Sequence, residues 1–275
     1  MIFVYKVWDD FCKKLHKKNI HSICAKEVFN CKEKYVVLKH DVETDVARAY
    51  ELAKIESEYG HRGVYYVQAY LLTNLQNIET LKKIAALGHE VSYHYDVMDA
   101  CKGNIEEAIK EFEKNLKLFK KAGFSIKTLC QHGNPIVERV GYTSNRDFFR
   151  HSKVQELYPS LSDIMVDFKA KAKTDYNYFS DAGRQFKLIF DPINNDIIKS
   201  DEKNIGFENL DELIPYIEKN NGIISTHPHR WTKSAKSYLI KMWIFKVVKS
   251  IAKVVVKLPF LKKIMSRYYY LAKKI

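Results

Sequence analysis

The chain has 275 residues, enough for one sizeable core and an appendage, and its 46% hydrophobic and 29% charged content is that of a globular protein, not a low-complexity one. The net charge of +13 is uneven: 12 Lys or Arg and no Asp or Glu follow Trp231, which leaves +1 on the first 231 residues and argues against nucleic-acid binding by the protein as a whole. The five cysteines are odd in number and form no Cys-x-x-Cys pair, which speaks against both a disulfide framework and a thiolate zinc site.

In chain order, residues 1–34 read as mixed and helical, with Trp8, Phe11, Leu15 and Ile20 as core contacts. The start is apolar and is followed by Lys6 and two Asp, unlike a secretory leader, and no run approaches the roughly 20 apolar residues that span a bilayer, so a cytoplasmic protein is expected. A strand is predicted over 35–40 and a helix over 45–59, closed by Gly60. Strands near 63–69 and 89–93 flank a short helix over 78–86. The clearest helix is 105–122, where Ile105, Ile109, Phe112, Leu116 and Phe119 make one stripe between Asn104 and the C-terminal Gly123. A strand over 127–131 follows. Residues 135–190 are aromatic and turn-rich, with short strands expected near 163–167 and 176–180. A helix near 208–218 precedes a strand at 223–225. The β-helix-β rhythm argues for a parallel α/β barrel, incomplete and irregular.

The most informative segment is Tyr35-Val-Val-Leu-Lys-His-Asp-Val-Glu43, an apolar run that ends in His40, Asp41 and Glu43. Charged groups at the mouth of a buried sheet are costly unless they are paired or bind a metal. Alternation puts Asp41 and Glu43 on one side of the extended chain, about 7 Å apart, where one could hold a metal and the other take a proton. The plain alternative is a strand end followed by a helix cap at Thr44 or Asp45. Polar clusters recur after the other strand-like runs: His89-Glu-Val-Ser-Tyr-His94, Cys130-Gln-His-Gly-Asn-Pro135, Phe179-Ser-Asp-Ala-Gly-Arg184 and Ser225-Thr-His-Pro-His-Arg-Trp231. Strands that all end in chemistry on one rim are how an α/β barrel builds a site.

These segments, in this order over residues 35 to 231, resemble the polysaccharide deacetylases, and most of all the divergent branch associated with surface-polysaccharide gene clusters. The resemblance implies a distorted, seven-stranded (β/α) barrel over 1–231, joined here to a basic amphipathic helical tail over 232–275. It implies a divalent metal, expected to be zinc, with Asp41 as catalytic base and Glu43 as metal ligand. Glu43 stands where the family has Asp, so the exchange of these two roles stays open. His94 matches the first metal histidine, but the second position, four residues on, is Met98. A replacement ligand is then required: His132 is preferred, with His227 and Asp96 as the other options. His227 matches the histidine that acts as general acid.

Arg230 and Trp231 are candidates for binding sugar hydroxyls and stacking on a ring, although Trp231 could instead seal the barrel or start the tail. Asp181 and Arg184 read as an orienting ion pair, or Arg184 as a grip on an anionic substrate group. Gly133 and Asn134 offer a tight turn whose amides could stabilise an oxyanion. His89, at a strand start, reads as orienting backbone.

In the tail, Lys241, Lys246, Lys249, Lys253 and Lys257 recur at near-helical spacing among apolar residues until Pro259, and a second piece carries Phe260, Tyr268 and Tyr269. Apolar residues, a cationic face and interfacial aromatics describe a helix lying in the plane of an anionic membrane surface; the alternative is packing on the barrel or a partner. The function expected is a metal-dependent hydrolase that removes an N-acyl group from an amino sugar, with a nucleotide or lipid carrier as an option, at the inner face of the membrane. Two other readings are a non-catalytic glycan-binding relic, favoured by Met98, and a metal-dependent glycosyltransferase, for which no glycine-rich loop speaks.

Overall fold

The computed structural model describes residues 2–134, 137–198 and 203–255, with side chains through residue 247. Nine strands form one sheet: β1 (Val36–Val42), β2 (Gly63–Val67), β3 (Glu90–Tyr95), β4 (Thr128–Gln131), β5 (Ser162–Asp163), β6 (Asn177–Ser180), β7 (Lys187–Ile189), β8 (Ile205–Gly206) and β9 (Gly222–Thr226). Their order is β5-β4-β3-β2-β1-β9-β6-β7-β8. Every pairing from β5 through β6 is parallel, whereas β7 and β8 are added antiparallel. Seven parallel strands thus follow one another around a distorted barrel.

Its seam lies between β5 and β6, where no ladder forms among the described residues and Tyr176 OH donates to the Ile164 carbonyl at 3.3 Å. The sheet closes on its own inner face: Val37, Val64, Tyr66, Cys130, Ile164, Tyr178 and Ile223 pack as one interior cluster. Close strand approach explains Gly63, since a Cβ there would lie 2.6 Å from the Leu38 carbonyl oxygen.

The helices are α1 (Tyr5–Lys17), α2 (Val46–Glu58), α3 (Leu75–Ala86), α4 (Val97–Ala100), α5 (Ile105–Ala122), α6 (Asp147–Arg150), α7 (Ser152–Leu157), α8 (Phe168–Ala172), α9 (Ile214–Lys219) and α10 (Ala235–Val255). They cover the outer face of the sheet through two further clusters, one built on α2, α3 and α5 and one on α1 and α9. Local signals place several ends. Asp45 caps α2 by accepting from the Arg48 amide, Asn104 caps α5 by accepting from Glu106 and Glu107, and Gly123 adopts φ +91° after α5.

The region after β4 departs most from expectation. Of the strand expected at 163–167 only Asp163 is extended, where it forms β5 with Ser162; turns and α8 follow. Two short helices, α6 and α7, and the antiparallel β7–β8 pair occupy stretches without helical or strand periodicity.

Packing also continues past the expected boundary at Trp231. Thr232 bridges to Val4, and Tyr238, 7% exposed, joins the cluster of Phe3, Trp8 and Trp231. The tail beyond residue 255, with Pro259 and the second aromatic piece, lies outside the described residues. No helix among the described residues is long and apolar enough to cross a membrane.

Candidate active site

The interior of β1 is read by alternation. Val37, Lys39 and Asp41 point inward, while Val36, Leu38 and His40 point to the outer layer. Register does the rest. Lys39 pairs with Ser225 and His40 with Thr226, so Asp41 and His227 stand level at the carboxyl ends of β1 and β9. His94 pairs with Cys130 across β3 and β4, and His132 follows two residues later on the same face.

Glu43, His94 and His132 come together, with one ligand atom from each lying within 4.8 Å of the other two. His132 Nε2 is 3.2 Å, His227 Nε2 3.7 Å and His94 Nε2 3.9 Å from Glu43 Oε1. His94 Nδ1 lies 3.0 Å from the Cys130 carbonyl, which assigns the proton to Nδ1 and leaves Nε2 with its lone pair facing the cavity. That buried Nε2 makes no hydrogen bond. An orphaned imidazole nitrogen beside a buried carboxylate and a second imidazole fits a divalent cation, and two His with one Glu is a donor set that suits zinc. Burial raises the Glu43 carboxyl, yet the His132 and His94 imidazoles beside it hold it well below the usual range.

Each ligand candidate is held from behind. Tyr70 OH donates to the Glu43 carbonyl at 2.5 Å. The His132 amide donates to the Tyr95 carbonyl at 2.7 Å, and its own carbonyl accepts from Asn145 Nδ2 at 2.8 Å. Asn145 is fixed in turn by Asp99 of α4, whose amide donates to Asn145 Oδ1 at 2.9 Å. Met98, on the same short helix, is turned into the hydrophobic core at 4% exposure. Asp96 joins neither the cavity lining nor a ligand group. A second grouping, Asp41, His94 and Cys130, is chemically poorer, because burial pushes the Cys130 thiol well up and keeps it protonated, and because Asp41 is already engaged.

Lys39 engages it. The ammonium lies 2.6 Å from both oxygens of Asp41 and 3.1 Å from Ser225 Oγ. Burial raises Asp41, but Lys39, His94 and His227 more than offset it, so the carboxylate is ionised. Lys39 escaped the sequence reading because a lysine in a strand usually faces water. The signal was there: Lys39 shares parity with Asp41 and Glu43.

His227 is oriented by Asp181, whose Oδ1 lies 2.6 Å from Nδ1 and whose Oδ2 accepts the His227 amide at 3.0 Å. Nε2 is thereby aimed at the cavity, 3.9 Å from Asp41 Oδ2. Arg230 also binds Asp181, at 2.5 Å. Burial raises Asp181, and Arg230 and His227 more than reverse this, leaving it well below its ordinary value.

Three sequence expectations are corrected here. Asp181 pairs with Arg230 and His227, not with Arg184, and at 0% exposure it holds the site instead of touching substrate. Trp231, also 0% exposed, is wedged against Phe3 and Trp8 with ring centroids 5.1 Å away in each case, and its Nε1 donates to Thr226 Oγ1; it does not offer a face to a sugar. His40 belongs to a separate outer cluster, stacked on Tyr65 with Nε2 2.8 Å from Glu56 Oε1. His89 orients backbone as expected, with Nδ1 accepting the Gly63 amide at 3.0 Å. At the β4 turn Gly133 lines the cavity, whereas the Asn134 carbonyl accepts from Arg139.

The cavity is about 560 Å³ and lies at the carboxyl ends of the strands, where Asp41, Glu43, His94, His227, His229 and Arg230 line it. A more open hollow of about 850 Å³ at the opposite end, bordered by Lys34, Asp175 and Asn221, contains no histidine.

No family model matches the chain, and no curated protein matches it in sequence. Among solved structures it is similar to a family 4 carbohydrate esterase from Streptomyces lividans in complex with acetate, with 16% identity, a TM-score of 0.43, and coverage of 71% of this chain and 80% of that one. It is also similar to a peptidoglycan deacetylase of Bdellovibrio bacteriovorus, with 12% identity, a TM-score of 0.29, and coverage of 72% of this chain and 54% of that one.

Proposed function

We propose that this protein is a divalent-metal-dependent hydrolase that removes an N-acyl group from an amino sugar. The observation that carries the reading is the convergence of Glu43, His94 and His132 at the edge of the cavity that Asp41 and His227 also line. Those three residues would hold the metal, and zinc bound there would polarise the acyl carbonyl and lower the pKa of water to about 7.

The chain's own residues supply the rest. Asp41, kept ionised by Lys39, accepts the proton of the attacking water. His227, with Nδ1 held by Asp181, presents Nε2 to give a proton to the departing amine as the C–N bond breaks. A carboxylate and a free amino sugar result. Arg184 and Arg230 line the same cavity and are among the polar groups that could meet substrate. The motif order of the sequence supports a place in cell-surface glycan assembly.

The outer face of α10 supports work at an anionic membrane surface. Leu239, Ile240 and Trp243 are exposed at 62%, 52% and 67%, on a segment where 12 cations and no anions follow Trp231.

The test is metal uptake together with acyl release. Purified protein stripped of metal and titrated with zinc should take up one equivalent and release acetate from at least one member of a panel of N-acetylated sugars and their phosphorylated forms. Failure to bind metal would overturn the reading and favour a glycan-binding relic of the fold.

A further inference from the structure

The mouth of the cavity carries more positive charge than its carboxylates answer. Arg184 and Arg230 line it, and Arg48 and Lys241 both reach the backbone carbonyl of His229, a residue of its wall. Arg230 is neutralised by Asp181, and Arg48 by Asp45 at 2.9 Å. Arg184 has no carboxylate partner among the described residues. Its guanidinium instead stacks 4.1 Å from the Phe245 ring centroid, with Nη1 3.6 Å from Met242 Sδ, so α10 braces it from outside. Among the described residues Lys241 reaches the His229 carbonyl, at 3.4 Å.

The crowding is felt in the titration of both groups. Burial and then Arg230 pull Arg184 down, and burial and then Arg48 pull Lys241 down to about 8. An anion arriving there would relieve this repulsion.

Two geometric observations bear on this spot. Arg184 sits in the left-handed region at φ +65°, directly after Gly183 at φ +76°. A non-glycine residue there stores strain that persists where function holds it. In the wall of the same cavity, His229 Nδ1 is buried with no hydrogen-bond partner among the described residues.

We infer that Arg184, supported by Lys241 and His229, forms a subsite for a phosphate group carried by the sugar, so that the substrate is an amino sugar on a phosphate or diphosphate carrier and not a free or polymeric glycan. This deepens the proposed deacylation and rests on it for the identity of the sugar. Guanidinium is the side chain suited to phosphate, and the aromatic stack keeps its fork in place at low entropic cost. The phosphate could come from a soluble nucleotide sugar or from a lipid-linked sugar, and the chemistry of the subsite is the same.

The experiment separates the subsite from the hydrolysis. Binding is measured by calorimetry with zinc-loaded full-length protein and a panel of N-acetylhexosamines, each paired with its 1-phosphate. A pyrophosphate-linked nucleotide sugar and vesicles carrying a polyprenyl diphosphate sugar serve as further arms. The wild type should bind a 1-phosphate more tightly than its parent sugar, and tighter binding in the nucleotide or the vesicle arm identifies the carrier. Arg184→Ala should cut this preference about ten- to hundredfold, the loss expected for one charge-assisted contact, and Arg184→Lys should keep part of it. A wild type without preference for any 1-phosphate, or an Arg184→Ala preference equal to wild type, overturns the subsite. Neither outcome touches metal uptake or acetate release, which test the hydrolase reading.

Discussion

Lys39 and Asp41, two residues apart on β1, form an ion pair inside the barrel, with the ammonium 2.6 Å from both carboxylate oxygens at 1% and 6% residue exposure. The pair stands at the floor of the cavity, where both charges are out of water. Burial would pull the Lys39 ammonium down, but Asp41 beside it keeps it well above its ordinary value. Removing one partner leaves the other charge buried and unanswered, which typically costs about 3–5 kcal/mol. Lys39→Met should therefore lower the stability measured by urea unfolding by about that much. A loss under about 1 kcal/mol, the level of an exposed pair, would show that water reaches the pair.

Asp41→Asn tests the base. The amide keeps the shape and can still accept a hydrogen bond from Lys39, but it cannot take a proton from water. Acyl release should fall by about 10²- to 10⁴-fold, with metal content near wild type. If more than about a tenth of the activity survives, proton abstraction belongs to another group, and Glu43 is the next candidate.

Metal content tests the other half of the site. His94 brings a nitrogen that makes no hydrogen bond among the described residues, and its loss leaves Glu43 and His132 as a two-residue site. His94→Ala should reduce zinc in the purified protein to near background. Full stoichiometric zinc in that variant would remove His94 from the ligand set. Asn145→Ala, which releases the His132 carbonyl, should weaken zinc binding about 10- to 100-fold.

Stability should also depend on pH through Asp163, at the seam of the barrel. Asp163 is 0% exposed, accepts from Tyr95 OH at 2.5 Å, and is pushed by burial up to about 6. A carboxyl raised in the folded state contributes stability that is fully present below its unfolded value of about 3.9. That contribution is lost as pH rises through about 6. Asp163→Asn, which does not titrate, should remove this fall. Between pH ~4 and pH ~7 the wild type should lose about 2–3 kcal/mol relative to the variant. Parallel stability curves would mean that Asp163 does not ionise in this window.

The exposed face of α10 predicts vesicle binding. Full-length protein should co-sediment with anionic vesicles, more weakly at high salt but still detectably, since screening acts on the lysines and not on the apolar side chains. Leu239→Glu with Trp243→Glu should abolish most of this without unfolding the barrel, because both side chains are exposed. Truncation is a blunter test: a stop after Thr232 removes Tyr238 and Met242 from the barrel's outer layer, whereas a stop after residue 247 keeps them. Unchanged sedimentation of the double variant would assign the face to a protein partner.

The sequence by itself determined the parallel barrel and the rim on which its chemistry stands. Those features rest on short-range signals: the stripe of α5 with Asn104 before it and Gly123 after it, and apolar runs that break into Asp, Glu and His at their carboxyl ends. Spacing could not say which rim residues meet, because that depends on register between strands far apart in the chain. His132 was preferred among three options from the sequence, but only the tertiary structure set it 3.2 Å from Glu43 while turning Met98 into the core, gave Asp181 to Arg230 instead of Arg184, and buried Trp231. It also decided residues 137–198, where α6, α7 and β7 are too short to carry a period and are held by long-range pairs such as Arg146–Asp196. Local periodicity encodes elements, whereas pairing across the barrel is fixed by packing and by the cost of leaving a buried charge alone.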